Sequence, residues 1–209
     1  MYNFHQIDLF NSKAFMQNFR FSNQLFVFLL LAVNTVLFSS CKKEEHAHDH
    51  NDSELITTLR LRFTEVGTTN TTTFAWTDKD GAGGNAPTID EVRLAPNKSY
   101  TLDITVLNES KTPSEDITAE ILKEANEHQF FFEGTAINNL LNVVYADTDT
   151  NRRPLGLKNT VATRNAGNST LKITLRHSPN KAATGVAQGQ IANAGGETDI
   201  ETTFNVRVQ

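Results

Sequence analysis

Strict alternation of apolar and polar residues is the feature that most constrains how this chain can fold. It begins at Leu55 and recurs in three later segments, so that every second side chain is apolar. A strand with one buried and one solvated face requires this period of two, whereas an amphipathic helix requires a period of 3.6. We therefore predict strands where the alternation is clearest, at residues 55–64, 100–106, 171–176 and 200–208.

Shorter strands are predicted between clusters of Gly, Asn, Asp and Pro, the residues that favour turns. They cover residues 72–77, 91–94, 129–133, 140–145 and 159–163. About eight or nine short strands of this kind favour an all-β fold, an antiparallel, Ig-like β-sandwich. A small barrel is the alternative. An α/β fold would need strands to alternate with helices, and the sequence has no such pattern.

One helix is predicted inside this β pattern, near residues 113–126. Thr112 is placed to cap it, Pro113 suits the first helical position and Glu115 follows at the capping-box spacing. Apolar residues then recur at helical spacing. We expect this helix to lie across one end of the sandwich.

The N-terminal segment reads as a targeting sequence. Residues 25–38 form an apolar run that follows Arg20. The run has the length of a signal-peptide core and is shorter than the ~20 residues that a membrane-spanning helix needs. We predict a signal peptide at 1–40, with Met16 as an alternative start. A lipidated Cys41 with a polar tether would then occupy 41–53, and the β-sandwich 54–209.

Cys41 is the predicted lipid anchor. It is the only cysteine, so the chain cannot form an internal disulfide. Two small residues, Ser39 and Ser40, precede it as in a bacterial lipobox, although Phe38 stands where Leu is usual. Two or three acyl chains would anchor the protein stably, whereas one chain binds marginally. An uncleaved anchor helix is the alternative.

A histidine-rich tract follows the anchor: His46, His48 and His50, with Asp49 among them. Imidazoles at alternate positions of an extended chain lie on one side and are common transition-metal ligands. The tract therefore predicts a site for Zn or Cu. The alternative is a polar spacer with no metal function.

The predicted β domain has no recognisable catalytic motif. It lacks a nucleophile elbow, a zinc-protease motif and a phosphate-binding loop. His128 and His177 are predicted to be structural or exposed residues, His177 in a turn. The acidic loop at 147–151 has the opening spacing of a calcium loop but lacks its later ligands, which favours a plain turn. We therefore predict that the protein is not an enzyme.

A second candidate site is the loop after the second predicted strand. Trp76 provides an aromatic surface next to polar loop residues that suit a protein or glycan partner; the loop residues are Asp78, Asp80 and Asn85. Nucleic acid is not an expected partner, because the net charge is −5 and no basic stripe is present.

Several motifs occur here in an order that resembles a group of small Bacteroidota outer-membrane lipoproteins. These are the His/acidic tail and the segments at 54–58, 76–87, 128–132, 175–181 and 193–201. Lys43-Glu44-Glu45 also looks like the export signal of surface-exposed lipoproteins in that phylum. Members are often labelled as having a type 1 periplasmic-binding fold, which is α/β, whereas the alternation here predicts an all-β domain. The resemblance implies association with TonB-dependent receptors.

Together these patterns predict an outer-membrane lipoprotein that binds Zn or Cu as an accessory to TonB-dependent uptake. It would face the cell surface or, alternatively, the periplasm. The alternative function is a metal-independent module that binds a protein or glycan partner at the cell surface.

Overall fold

A computed structural model describes residues 55–81 and 83–209, and within this part of the chain β-strands dominate. They form two sheets that share one apolar core, so the predicted all-β sandwich is confirmed. Cys41, His46, His48, Asp49 and His50 lie outside the described residues.

The described residues contain eleven strands and one short helix. In chain order they are β1 (Thr58–Glu65), β2 (Thr71–Thr77), β3 (Thr88–Ile89), β4 (Val92–Leu94), β5 (Ser99–Asn108), β6 (Glu115–Asp116), α1 (Ile117–Lys123), β7 (His128–Glu133), β8 (Leu141–Tyr145), β9 (Lys158–Thr163), β10 (Gly167–His177) and β11 (Glu197–Val208). Every strand predicted from the alternation is present, and the two additional strands, β3 and β6, have only two residues each.

The larger sheet has the strand order β3-β2-β1-β5-β9-β8, with β6 also paired to β5. The smaller sheet has the order β4-β11-β10-β7. All pairs are antiparallel except β4 and β11, where Val92 to Leu94 run alongside Val206 to Val208 in the same direction. The chain passes from β3 in the larger sheet to β4 in the smaller sheet over two residues, Asp90 and Glu91.

The core lies between the sheets and is filled by the inward-facing residue of each alternating pair. Large side chains with almost no exposure come from both sheets, which buries the apolar area that stabilises the fold. They include Leu59, Leu61, Phe63, Leu102, Phe130, Leu171, Ile173, Leu175 and Phe204. The sequence pattern therefore predicted the buried face of each long strand.

Helix α1 is shorter than predicted at both ends, since it begins at Ile117 and ends at Lys123. Asp116, and not Thr112, caps it by accepting a hydrogen bond from the Thr118 N–H at 3.0 Å. Glu115 and Asp116 pair with the end of β5 and therefore cannot belong to the helix. No helix among the described residues is long and apolar enough to cross a bilayer.

The segment between β10 and β11 covers the face of β7 that points away from the main core. Its two 3-10 turns, Val186–Gln188 and Ile191–Asn193, help to enclose Phe131 in a second small cluster. Gln129 extends this contact by donating from Nε2 to the Val186 carbonyl at 2.9 Å. The middle of this segment therefore packs against β7.

Candidate metal centre

The second predicted site, at Trp76 and the loop after β2, is held by contacts within the chain. Trp76 lies in β2 and packs, half-buried, against the main core. In the loop, Asp80 accepts hydrogen bonds from the backbone and side-chain nitrogens of Asn85 at 2.8 and 2.6 Å. Asp78 follows β2 directly, and its N–H donates to the Thr57 carbonyl. This loop is held by contacts within the chain and brings no histidine into the group.

A different group of polar residues meets where β7, β10 and β11 come together. His128 is the first residue of β7 and His177 the last residue of β10, and the antiparallel register places them directly opposite each other. Their rings make an edge-to-face contact, with centroids 4.7 Å apart. His177 is thus a strand residue, and its predicted location in a turn is wrong.

A β-bulge brings Asp199 to the two histidines. In the β10–β11 register, Leu175 faces Ile200 but Arg176 faces Thr198, so Asp199 is the additional residue on β11. A bulge of this kind redirects side chains and is common beside functional sites. Without it, alternation from the buried Ile200 would point Asp199 outward.

The three side chains converge at distances that suit metal ligands. His128 Nε2 lies 3.6 Å from Asp199 Oδ2, and His177 Nδ1 lies 4.0 Å from Asp199 Oδ1. One ligand atom from each residue lies within 4.8 Å of the others. Ligands in a tetrahedral zinc site are about 3.3 Å apart, given zinc–ligand distances of about 2.0–2.1 Å. Small side-chain rotations would therefore bring these atoms to an ion.

The second nitrogen of each ring faces an acceptor. His128 Nδ1 lies 3.2 Å from the Glu124 carbonyl oxygen, and His177 Nε2 lies 3.9 Å from Glu127 Oε2. In metal sites such acceptors fix the tautomer that directs the other nitrogen to the ion. The group thus has the outer contacts that metal-binding histidines use.

The segment that carries these acceptors is held on several sides. The Lys181 ammonium donates to the Ala125 carbonyl at 2.6 Å, and Thr150 donates to the Asn126 side chain at 2.8 Å. The Ser178 N–H donates to the Glu127 carbonyl at 2.6 Å. The backbone that carries Glu124 and Glu127 is therefore held close to the two histidines.

A glycine turn closes the site from the side of β11. Gly196 has φ +70°, a left-handed conformation that L side chains rarely adopt. A Cβ at this position would also collide with the carbonyl oxygen of His177. The Asn193–Glu201 segment therefore needs glycine here to bring Asp199 close to the end of β10.

A buried ion pair lies beside this group. Lys181 Nζ is 3.1 Å from Asp149 Oδ2, and both side chains are 1% exposed. The other carboxylate oxygen accepts from the N–H groups of Asn151 and Arg153 at 2.8 and 2.9 Å. Burial alone would raise the pKa of Asp149, but the hydrogen bonds from Arg153 and Lys181 outweigh it and hold the pKa below its usual value. Asp149 thus accepts hydrogen bonds from its own loop and from Lys181, which is consistent with the predicted plain turn.

The sequence contained a signal for the histidine pair that single-residue reasoning missed. His128 precedes the inward-facing Phe130 by two residues, and His177 follows the inward-facing Leu175 by two. Because Phe130 and Leu175 face each other across β7 and β10, the same register places the histidines opposite each other. The pairing of these two strands was the missing information, and the bulge at Asp199 has no comparable signal.

The fold and this group together define a β-sandwich with a cluster of side chains that could hold a metal ion. Comparison of the chain with protein-family models, with curated proteins and with solved structures gives no match.

Proposed function

We propose that this protein binds a transition-metal ion, Zn or Cu, through His128, His177 and Asp199. The observation that carries the proposal is the convergence of two imidazoles and one carboxylate at a β-bulge, with an acceptor behind each imidazole. Two nitrogen donors and one oxygen donor suit Zn or Cu better than Ca or Mg, which prefer all-oxygen sites.

The location of the donors supports a site with tight binding. The His128 side chain is 5% exposed and the Asp199 side chain is 11% exposed, so these two donors are already ordered by the fold. A preformed site avoids much of the entropy that a flexible tract must lose when it binds an ion. The tail residues His46, His48, His50 and Asp49 would form a separate and weaker site, which we retain as part of the proposal.

The test is a competition titration with Zn(II), Cu(II) and Ca(II), using the full chain purified in detergent. Asp199→Asn and His177→Gln should each weaken Zn binding by at least about 100-fold, more than is typical for the loss of an outer-sphere contact. Glu201→Gln is the matched control, because Glu201 lies two residues away on β11 and is half exposed. A combined replacement of His46, His48 and His50 by Ala should remove only weaker binding.

The opposite outcome would reassign the metal site. If Zn binding survives Asp199→Asn and disappears with the tail histidines, the tail is the site and the β-sandwich has another role. Weak, unselective binding in every variant would favour the metal-independent module. Circular dichroism should accompany each titration, so that loss of binding is separated from loss of fold.

We further propose that the protein is an outer-membrane lipoprotein, anchored through Cys41 and accessory to a TonB-dependent receptor. The basis is the lipobox-like sequence and the motif resemblance, and the metal site would give such a protein a cargo. Cys41→Ser should release the protein from the membrane fraction and abolish labelling by a fatty-acid analogue. Protease treatment of intact cells distinguishes the cell surface from the periplasmic face.

A further inference from the structure

The three residues of the metal group lie around the two ends of the segment between β10 and β11. His177 is the last residue of β10 and directly precedes this segment, residues 178–196. Asp199 is the third residue of β11, just after the segment ends. His128 lies opposite His177 on β7. An ion held by all three residues would therefore connect both ends of the segment to β7.

The β-bulge weakens the attachment of the two strands at this end of the sheet. Between the bulge and the segment, β10 and β11 are joined by the ladder pairs of Arg176 with Thr198 and of His177 with Glu197. A bulge disrupts the ladder locally, and strand ends open at a lower free energy than the middle of a sheet. His177 lies beyond the bulge and Asp199 within it. An ion shared by these two residues would therefore bridge the weakened part of the ladder.

The segment covers an apolar side chain on the outer face of β7. Phe131 is fully buried, and the cluster that encloses it contains Val186 and Ala194 from the segment. This cluster is much smaller than the core between the two sheets. Burial of apolar surface stabilises a closed state roughly in proportion to the buried area. We therefore expect the segment to open more readily than the two sheets separate.

The two ends of the segment are held by different contacts. At the start, the buried Lys181 ammonium donates to Asp149 and to the Ala125 carbonyl, and neither contact needs a metal. At the end, the exposed Arg176 side chain donates to the Thr198 hydroxyl at 2.8 Å, which adds modest net stability. The start is therefore secured by the fold, whereas the end is the part that an ion at Asp199 would secure.

We propose that the bound ion is a cross-link that keeps the end of this segment closed over Phe131, and that loss of the ion lets residues 184–196 open. This inference rests on the proposed metal-binding function. Metal occupancy would then regulate access to the outer face of β7, because the apolar surface of Phe131 is covered in the metal-bound protein and exposed after the ion leaves.

The test measures hydrogen exchange of the full chain, purified in detergent, with and without Zn(II). In the metal-free protein, the hydrogen-bonded amides at 186–194 should exchange faster than those of β5, because the segment opens without unfolding of the sheets. Zn(II) at about 100 times its Kd should slow these amides by up to about 100-fold, since opening must release the ion. Exchange in the turn at 66–70, which belongs to the other sheet, should not change.

Variants separate the effect of the ion from the effect of packing. Asp199→Asn should lose the zinc-dependent slowing, and Glu201→Gln should keep it. Val186→Ala weakens the small apolar cluster, so it should speed exchange at 186–194 in the metal-free protein while zinc still slows it. Val66→Ala is the matched control, because Val66 is 55% exposed in the turn after β1. Circular dichroism identifies any variant that has lost its fold.

Three results would overturn the proposal. Asp199-dependent zinc binding without slowing at 186–194 would mean that the ion does not hold the segment. Exchange at 186–194 that is as slow as in β5 without metal would mean that the segment opens only when the whole domain unfolds. Slowing that persists in Asp199→Asn would assign the effect to an ion elsewhere. Absence of Asp199-dependent zinc binding would refute the metal site itself, which is a different failure.

Discussion

Two polar clusters lie side by side at the start of β7, and they use similar residues differently. In the first, Lys181 and Asp149 contact each other and three backbone groups at hydrogen-bond distances between 2.6 and 3.1 Å. In the second, His128 and His177 lie 3.6 and 4.0 Å from the carboxylate of Asp199. The first cluster is a closed set of hydrogen bonds, and the second brings together three side chains that could hold a metal ion.

The difference leads us to expect different roles for the two clusters. A buried charge is tolerated when hydrogen bonds surround it, and it then fixes the local chain. Side chains that converge at ligand spacing, with their outer atoms directed at acceptors, have the arrangement found in metal sites. We therefore expect the Lys181 cluster to control folding stability and the His128 cluster to control metal binding.

The largest expected effect tests whether the Lys181 cluster controls folding stability. Asp149→Ala leaves the Lys181 ammonium buried with its counter-charge removed, which should lower the free energy of unfolding by about 3–5 kcal/mol. Urea denaturation measures it. Asp103→Ala is the control, because Asp103 pairs with Arg62 at the surface and should cost no more than about 1 kcal/mol. Similar losses in both variants would mean that burial does not distinguish the two pairs.

The next largest effect tests whether the His128 cluster binds zinc. Zinc should raise the free energy of unfolding by about 2.7 kcal/mol when free zinc is at about 100 times its Kd. Asp199→Asn should abolish this gain while changing the stability of the metal-free protein little. Denaturation with and without zinc measures both quantities. A full zinc-dependent gain in Asp199→Asn would place the stabilising ion elsewhere.

A smaller effect on Zn affinity is expected from the contact between Glu127 and His177 Nε2. Glu127→Gln keeps the shape of the side chain but weakens its attraction for the ring N–H, and should reduce Zn affinity by about 10-fold, the lower end of the range for such contacts. The Glu127 side chain is 61% exposed, which favours the lower end. Competition with a chromogenic chelator measures the change. Complete loss of binding would instead indicate that Glu127 is a ligand.

The smallest effect is expected on the pH dependence of folding stability in acid. The pKa of Asp149 is lower in the folded protein than in the unfolded chain, so this carboxylate stabilises the fold at neutral pH. That contribution is present above the unfolded pKa of about 3.9 and is lost as the pH falls through the lower, folded value. Stability measured below about pH 4 should therefore fall more steeply in the unsubstituted protein than in Asp149→Ala. Equal slopes would contradict the assignment.

Much of the fold could be predicted from the sequence, because long strands with one buried face show a clear alternation of apolar and polar residues. The inward positions of β1, β5, β10 and β11 match the apolar half of each alternating segment. The short elements were harder to place. Capping residues predicted a helix start at Pro113, but pairing of Glu115 with β5 overrode that local preference.

The candidate site was less predictable than the fold. The tail residues His46, His48 and His50 form a visible tract, whereas His128 and His177 are 49 positions apart in the sequence. Their meeting depends on which strands pair and in which register, and neither follows from the pattern within a single strand. Each histidine by itself therefore appeared structural.

The sequence by itself determined the class of fold, the buried face of each long strand and the absence of an internal disulfide, because alternation and composition act locally. Only the tertiary structure decided that His128 faces His177 and that a bulge turns Asp199 toward them. The physical reason is that a metal site needs side chains placed to within a fraction of an ångström. Such placement is set by strand register and backbone irregularity, and alternation along one strand specifies neither.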